Sequence, residues 1–220
     1  MKMLLLSLVA FAPTGLLNPL PGAARVYVRV DVDAQGAIES VRFRDGTGER
    51  LQAVLRERVQ SWRFDPALVD GRPAPAQTTI TIDLRAGADG QSIDIASVSA
   101  GPAPIFIEPP RYAPNGRAAL QGNVVLRCRI AADGRCRDIT VEDATAPAKL
   151  QKSAKFALAN WRFETEVVSG VAVTPWVLIP FCFSQRPADQ PVPECKVGQQ
   201  RAIAGSEPPR LKLHDPLAQR

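Results

Sequence analysis

Four cysteines are the residues best suited to covalent chemistry in this sequence: Cys128, Cys136, Cys182 and Cys195. An even number of cysteines in an exported chain is typical of disulfides formed in an oxidising compartment. The spacings between them are wider than the close cysteine pairs of structural zinc sites, and the one histidine, His214, stands in the C-terminal tail. The sequence therefore predicts disulfides and no metal site.

Other arrangements suited to catalysis or ligand binding are incomplete. Asp31, Asp33 and Gly36 begin like a calcium-binding loop, but Arg42 stands where the last carboxylate ligand belongs. With a single histidine in the tail, neither a Ser–His nor a Cys–His arrangement is available to activate a nucleophile. The sequence therefore predicts a protein that is not an enzyme and has no cofactor and no small-molecule substrate.

Composition is typical of a globular protein, and the net positive charge suits an acidic or anionic neighbour without identifying one. Of the 220 residues, 45% are hydrophobic and 22% charged, which is enough to form a core. The net charge of +5 comes from basic and acidic residues that are interspersed along the chain. A nucleic-acid-binding protein normally carries a basic stripe with aromatic residues between the charges. We therefore predict no nucleic-acid partner.

The N-terminus has the three parts of an export signal. Lys2 supplies the positive charge, residues 3–12 are apolar, and the small residues at 22–24 are suited to cleavage. A retained inner-membrane anchor is the alternative interpretation. Pro13 interrupts the apolar run well short of the roughly 20 residues that a membrane span needs. We expect cleavage, and hence a periplasmic protein.

One structural pattern occurs twice along the chain. Residues 26–43 and residues 124–141 each alternate apolar and polar side chains up to a glycine, Gly36 in the first stretch and Gly134 in the second. Alternation with a period of two predicts half-buried strands, and a glycine at this point predicts a tight turn with positive φ. Each stretch therefore predicts a β-hairpin. In this alignment Val26, Val28, Arg29, Val30 and Val32 correspond to Val124, Leu126, Arg127, Cys128 and Ile130.

A helix and a third strand follow each hairpin. The tripeptide Trp-Arg-Phe ends both predicted helices, at residues 62–64 and 161–163. Before it, apolar residues recur at helical spacing, which predicts one buried face per helix. A short strand then closes each unit, at residues 79–84 and 177–183. The predicted helix faces are Leu51, Val54, Leu55, Val59 and Trp62 in the first unit, and Leu150, Ala154, Leu158 and Trp161 in the second.

These elements predict an α+β fold of two tandem β-β-α-β units. Each unit is expected to form a three-stranded antiparallel sheet in the order second, first, third strand, with one helix covering one face. The segments between and after the units are rich in Pro, Gly and small or polar residues. The predicted domains are a signal peptide at 1–24, a first unit at 25–86, a linker at 87–104, a second unit at 105–184 and a Pro-rich disordered tail at 185–220.

The repeat alignment also suggests how the cysteines pair. Cys128 and Cys136 stand on the two strands of the second hairpin and point to the same face, within diagonal reach of each other. Cys182 is expected to point to the opposite face, which argues against a Cys128–Cys182 bond. We predict disulfides between Cys128 and Cys136 and between Cys182 and Cys195. Two buried free thiols at positions 128 and 136 are the alternative.

An ordered set of short motifs in the second unit resembles a known family. Residues 108–114 read Glu-Pro-Pro-Arg-Tyr-Ala-Pro, and Gln121-Gly122, the first strand, Asp133-Gly134, Trp161-Arg-Phe and Gly170 follow in order. No single motif is specific, but their order and spacing are similar to the C-terminal domain of TonB-family energy transducers. The first unit is similar to the same domain in a looser, degenerate form.

The resemblance implies a periplasmic module that binds outer-membrane transporters through a short peptide segment, the TonB box, by main-chain pairing at a sheet edge. In the predicted strand order the third strand is such an edge, and Pro180 within it supports that position, since proline cannot donate to an interior ladder. For Ile179, core packing is the competing interpretation. The predicted partner-binding residues are Trp176, Val177, Leu178 and Ile179, with Tyr112 and Pro114 added by analogy with the family.

Two functions remain open from the sequence. In the first, the chain is a periplasmic TonB-like binding module that recognises extended peptides of outer-membrane transporters, or another periplasmic protein, by β-augmentation. In the second, it is a structural or assembly protein that forms a homodimer through its sheet edges and has no role in transport. The first predicts affinity for TonB-box-like peptides, whereas the second predicts a stable dimer that binds none.

Overall fold

The computed structural model describes residues 23–86, 92–111, 121–184 and 211–214. Over these ranges the protein is an α+β structure with mainly antiparallel sheets and two helices. The predicted signal peptide lies outside the described residues, except for its last two positions. No helix in the described ranges combines the length and the apolar composition that crossing a membrane requires.

The first hairpin carries the alternation seen in the sequence. It consists of β1 (Ala23–Val32) and β2 (Ile38–Phe43), which pair antiparallel. The four valines of β1 all point to one face and are at most 4% exposed. Helix α1 (Glu49–Ser61) covers that face, because its Leu55 and Val59 are buried in the same core. We call this core, which also contains Trp62, the first core.

The predicted apolar face of the first helix is wrong at one position, Val54. Val54 is 70% exposed, whereas Leu55 is 2% and Val59 0% exposed. Each residue turns an α-helix by about 100°, so Val54 lies beside the stripe that Leu55 and Val59 form and faces solvent.

Gly36 and Gly134 lie in the turns of the two hairpins, and each contacts the phenylalanine of a Trp-Arg-Phe tripeptide. Both have positive φ, +86° and +74°. The carbonyl oxygen of Gly36 accepts a hydrogen bond from the Phe64 N–H at 2.8 Å, and that of Gly134 accepts one from the Phe163 N–H at 2.8 Å. The repeated glycine and the repeated Trp-Arg-Phe therefore form a single contact, which ties each hairpin to the end of its helix.

Short strands lead from α1 to the third long strand of the first half. That third long strand, β6, pairs antiparallel with β1 on the side away from β2. This gives the predicted order of second, first and third strand. The elements are β3 (Phe64–Asp65), β4 (Ala67–Val69), β5 (Arg72–Ala74) and β6 (Ala76–Ala86).

Much of the segment predicted as a linker belongs to the first sheet, which corrects that description. β7 (Ile93–Gly101) pairs antiparallel with residues 79–86 of β6, and β8 (Ala103–Phe106) follows it. Ile95 of β7 is 5% exposed and lies in the first core. Because Ile95 buries its side chain in the first core, the backbone of this segment can pair with the edge of β6 as an additional strand.

The second half contains a separate three-stranded sheet with its own core. Its order is β10-β9-β14, as predicted, and all pairs are antiparallel. All four residues predicted for the apolar face of α2 are buried, Trp161 among them at 0% exposed. The elements are β9 (Gly122–Ile130), β10 (Cys136–Ala144), α2 (Ala148–Asn160), β11 (Arg162–Glu164), β12 (Val167–Val168), β13 (Val171–Ala172) and β14 (Trp176–Phe183).

The two halves are joined by strand pairing. The β12–β13 hairpin of the second half docks on the edge of β6, where Val167 pairs with Gln77 and Val168 with Ala76. Val168 is 2% exposed and lies in the first core. The prediction of three strands per sheet is therefore wrong for the first sheet, which has six within the described ranges, because the edge of β6 takes up both β7 and β12.

Four residues of the predicted disordered tail are ordered on the first half, which corrects the prediction at that point. β15 (Lys212–Leu213) pairs with β3, and Leu211 is 1% exposed in the first core. Burial of this leucine together with main-chain pairing stabilises the contact. The rest of residues 185–220 lies outside the described residues.

Candidate functional site

The last strand of the second sheet is paired along one side only. β14 pairs with β9 from Trp176 to Phe183 without a register shift. Within the described ranges no strand pairs along its other side over residues 176–180. An edge of this kind presents backbone N–H and C=O groups that an incoming strand can pair with.

Hydrogen bonding at the start of β14 shows which backbone groups face outward. The carbonyl oxygen of Pro175 accepts a hydrogen bond from the N–H of Ile130 at 2.9 Å, so Pro175 directs its backbone toward β9. Because directions alternate along an antiparallel pair, Trp176 and Leu178 direct their N–H and C=O groups away from the sheet. Pro180 falls on the same outward set, where its missing N–H leaves the ladder with β9 intact.

The predicted partner-binding residues divide between the two faces of β14. Trp176 and Leu178 are half-buried on the face away from α2, and the guanidinium of Arg127 lies 4.4 Å from the centre of the Trp176 ring. Val177 packs partly against the second core, and Ile179 is 1% exposed within it. The side chain of Ile179 is therefore a core residue, and only its backbone is available to a partner. Tyr112 and Pro114 lie outside the described residues.

The corresponding edge of the first sheet is occupied by the chain itself. β7 covers residues 79–86 of β6, and β12 covers Ala76 and Gln77. The strand registers show that β6 and β14 are equivalent strands. Arg29 pairs with Thr79 in the first sheet, and Arg127, at the matching repeat position, pairs with Leu178 in the second. Gln77 thus takes the position that Trp176 holds in β14. The segment that leads into β12 supplies the contacts at this position.

Glu164 in that segment binds the outer face of the first sheet. Its carboxylate accepts a hydrogen bond from Thr79 Oγ1 at 2.9 Å and lies 3.6 Å from Nε of Arg29 and 3.4 Å from Nη2 of Arg44. Arg29 also donates to the carbonyl oxygen of Thr165 at 2.8 Å. Burial lowers the pKa of Arg29 from its ordinary value, and the nearby Glu164 opposes that shift. These contacts were not predictable from the sequence, because they join residues far apart along the chain.

Glu166 lies deeper in the contact between the first sheet and the segment that leads into β12, which we call the junction. It is 1% exposed, and its Oε1 accepts a hydrogen bond from Thr78 Oγ1 at 2.8 Å. Its Oε2 is buried and has no hydrogen-bond partner among the described residues. Burial raises the pKa of this carboxyl above its ordinary 4.5, although the hydrogen bond from Thr78 and the charge of Arg29 act in the opposite direction. The junction therefore favours a neutral side chain at position 166.

Replacement of Glu166 with glutamine is expected to raise the free energy of unfolding near neutral pH and to change it little below pH 4.5. Because the folded-state pKa is raised, the proton on Glu166 stabilises the folded protein fully below the unfolded pKa, and this contribution is lost as pH rises through the folded pKa. Glutamine stays neutral and lacks this dependence. Urea unfolding at several pH values between about 4 and about 8 measures the difference.

The matched control is Glu57→Gln, on the exposed side of α1, which is expected to show no such pH-dependent gain. A Glu166→Gln variant that is less stable than the parent at neutral pH would contradict the assignment of a neutral side chain at the junction.

The cysteines form disulfides. Cys128 and Cys136 are joined, as predicted, and both are buried in the second core, at 0% and 5% exposed. The alternative of two free thiols is therefore wrong. Cys182, on the opposite face of its sheet from Phe181, is also disulfide-bonded. Its predicted partner, Cys195, lies outside the described residues.

Most strands of both sheets fall within segments that match one protein family. The family described as the Gram-negative bacterial TonB protein C-terminal matches residues 23–85 and residues 109–184, which together make up more than half of the chain. The chain belongs to this TonB C-terminal family. Family membership makes it a protein-interaction module and not an enzyme.

Individual TonB proteins are similar to part of this chain. Two proteins named Protein TonB, from strain B100 and a second strain of Xanthomonas campestris pv. campestris, are each 30% identical to it over 96 residues. The alignment covers 43% of this chain, and the chain spans 40% of the length of those relatives. The solution NMR structure of the Pseudomonas aeruginosa TonB CTD is 28% identical, with 40% of this chain and 89% of that chain covered and a TM-score of 0.34.

Proposed function

We propose that this protein is a periplasmic TonB-like module, built from two tandem β-β-α-β copies, that binds an extended segment of an outer-membrane transporter along β14. The segment resembles a TonB box and pairs with β14 by main-chain hydrogen bonds. The observation that carries this proposal is the difference between the two equivalent edges. Residues 176–180 of β14 are paired on one side among the described residues, whereas β6 is paired on both.

The first sheet acts as a scaffold in this proposal. Its third strand is occupied by β7 and β12, so an external strand would have to displace part of the chain before pairing there. Docking of β12 also fixes the residues immediately before β14, because the hairpin at 166–173 leads into Pro175. The first half thereby holds the start of the binding strand in place.

Two residues of β14 form the centre of the proposed contact. Trp176 and Leu178 offer outward backbone groups, and both side chains lie half-buried on the face away from α2. A strand laid beside them would cover that apolar surface and pair its own backbone. We propose that Tyr112 and Pro114, outside the described residues, flank the same edge.

Location in the periplasm is supported by the cysteine chemistry. A disulfide joins Cys128 and Cys136, and Cys182 is also oxidised. Disulfides form and persist in the periplasm, whereas the cytosol keeps thiols reduced. This agrees with the export signal predicted at residues 1–24.

Substitution of Leu178 by proline is expected to weaken binding of a TonB-box peptide by at least about ten-fold relative to Leu178→Ala. Both variants lose the leucine side chain, but only proline loses the outward N–H, and the ladder with β9 is kept because that N–H does not face β9. Titrations followed by amide NMR of the full chain measure the affinity and locate the shifts. Equal binding by the two variants would contradict main-chain pairing at this edge.

The same titration separates this function from an assembly role. Amide shifts concentrated in residues 176–180 on addition of peptide would support edge recognition. A stable dimer in solution with no response to peptide would instead show that β14 pairs with a second copy of the chain.

A further inference from the structure

The two sheets place an arginine at the same register position, but among the described residues only one of the two has a carboxylate partner. Arg29 on β1 pairs with Thr79 of β6, and Arg127 on β9 pairs with Leu178 of β14. Both side chains lie on the sheet face away from the helix, since they alternate with buried core residues. The first sheet therefore shows how this position looks when its edge is occupied.

In the first sheet the docked segment delivers an acid to the arginine. β12 pairs with the edge of β6, and the residues just before it, Glu164 and Thr165, contact Arg29. Nε of Arg29 lies 3.6 Å from Glu164 Oε1, and Nη1 donates to the Thr165 carbonyl oxygen at 2.8 Å. A carboxylate and a backbone oxygen from one docked segment thus contact this guanidinium, which also donates to Gln77 Oε1 of β6 at 2.6 Å.

In the second sheet the equivalent guanidinium, that of Arg127, contacts no carboxylate within the part of the chain that the structure describes. Nε of Arg127 is buried and lacks a hydrogen-bond acceptor among the described residues. None of the ion pairs formed within the described ranges involves it. Its neighbour on the same face, Arg129, is paired with Asp138 at 2.8 Å, so the difference is local to Arg127. The Trp176 ring holds the guanidinium in place at 4.4 Å.

We infer that the strand bound at β14 carries an acidic side chain, and that Arg127 is the specificity-determining residue that binds its carboxylate. This inference rests on the proposed function, and it adds the chemistry of the partner to it. The partner segment is an extended stretch of protein with a glutamate or aspartate close to the residues that pair with Trp176 and Leu178.

Distances within a sheet make this contact feasible. Neighbouring strands lie about 4.8 Å apart, and the guanidinium of Arg127 already reaches over Trp176, on the strand next to the partner. One further strand spacing is within the length of a glutamate side chain. A planar guanidinium that is half-buried and stacked on an aromatic ring is well suited to bind a carboxylate through two hydrogen bonds.

The chain itself supplies a suitable probe. Residues 163–170, Phe-Glu-Thr-Glu-Val-Val-Ser-Gly, contain the segment that docks on the first sheet. A peptide with this sequence and a second peptide with glutamine at both glutamate positions are titrated into the full chain. Amide NMR gives the affinity and shows separately whether Trp176 or Gln77 responds.

The full chain is expected to bind the acidic peptide at β14 about ten-fold more tightly than the glutamine peptide. Arg127→Gln is expected to reduce the ratio of the affinities for the two peptides to about one. Arg127→Lys keeps the charge but not the planar group, and should retain part of the preference. Arg129→Gln, on the same face of the same strand, is the matched control and should retain all of it.

The outcomes separate the inference from the proposed function. Equal binding of the two peptides at β14, or a preference that survives in Arg127→Gln, would overturn the inference and leave edge recognition standing. No shift in β14 with either peptide would overturn the inference, whereas the proposed function would be overturned only if a TonB-box peptide also produced no shift there. The amide spectrum of each variant without peptide shows whether its fold is retained, and Arg127→Lys keeps the test decisive if Arg127→Gln does not fold.

Discussion

Alanine at position 134 is expected to lower the free energy of unfolding of the second sheet by about 3–5 kcal/mol. Gly134 has φ +74°, and a β-carbon there would lie 2.2 Å from the carbonyl oxygen of Phe163. That oxygen belongs to the backbone at the end of the helix, so it cannot move aside as a flexible side chain would. Relief of the contact would break the hydrogen bond between Phe163 N–H and the Gly134 carbonyl oxygen.

The matched control for this substitution is Gly170→Ala. Gly170 has a nearly identical φ of +79°, but an added β-carbon would meet no atom within 4 Å. It is therefore expected to cost only the backbone term, about 1–2 kcal/mol. Urea unfolding followed by the fluorescence of Trp161, which is buried in the second core, measures both. Equal losses in the two variants would show that the contact with Phe163 contributes nothing.

Aspartate at position 168 is expected to destabilise the first core by about 3–5 kcal/mol, although Val168 belongs to the second half of the chain. Val168 is 2% exposed and packs in the first core through the pairing of β12 with β6. A carboxylate there would be buried next to Glu166, with no cation paired to it. Loss of this contact should also release the β12–β13 hairpin from the first sheet.

Val171→Asp is the matched control, because Val171 pairs with Val168 in the same hairpin but is 69% exposed. It is expected to change stability by less than about 0.5 kcal/mol. Unfolding followed by the amide NMR signals of first-core residues such as Val28 and Val30 reports the effect on the first half. If Val168→Asp left the unfolding of the first half unchanged, the two halves would be independent and the scaffold role of the first sheet would be wrong.

Gly134 and Val168 support β14 in two different ways, and the proposed function needs both. Gly134 keeps β9 and β10 joined to the end of α2, which gives β14 a sheet to belong to. Val168 anchors the segment just before β14 to the first half. If both expectations hold, the open edge is held in place from two directions, by its own sheet and by the first sheet.

Local chemistry is enough to explain what the sequence predicted correctly. Alternating side chains around Gly36 and Gly134 specify hairpins, because a glycine permits positive φ and a strand buries every second residue. The Cys128–Cys136 disulfide follows from the same alternation, since both cysteines must point to one face. The repeat of these short-range patterns, together with Trp-Arg-Phe, was sufficient to recognise the TonB C-terminal family.

Long-range pairing is what the tertiary structure alone decided. Nothing near Ile95 or Val168 in the sequence shows that their segments complete the edge of β6, because edge pairing uses backbone groups that every residue carries. The helical pattern included Val54 since periodicity cannot distinguish the centre of a buried stripe from its margin. The sequence determined two similar sheets with an arginine at the same position of the first strand, Arg29 and Arg127. Only the packing of one half on the other gave Arg29 the carboxylate of Glu164 and left Nε of Arg127 without an acceptor among the described residues, because such contacts depend on which surfaces meet after folding.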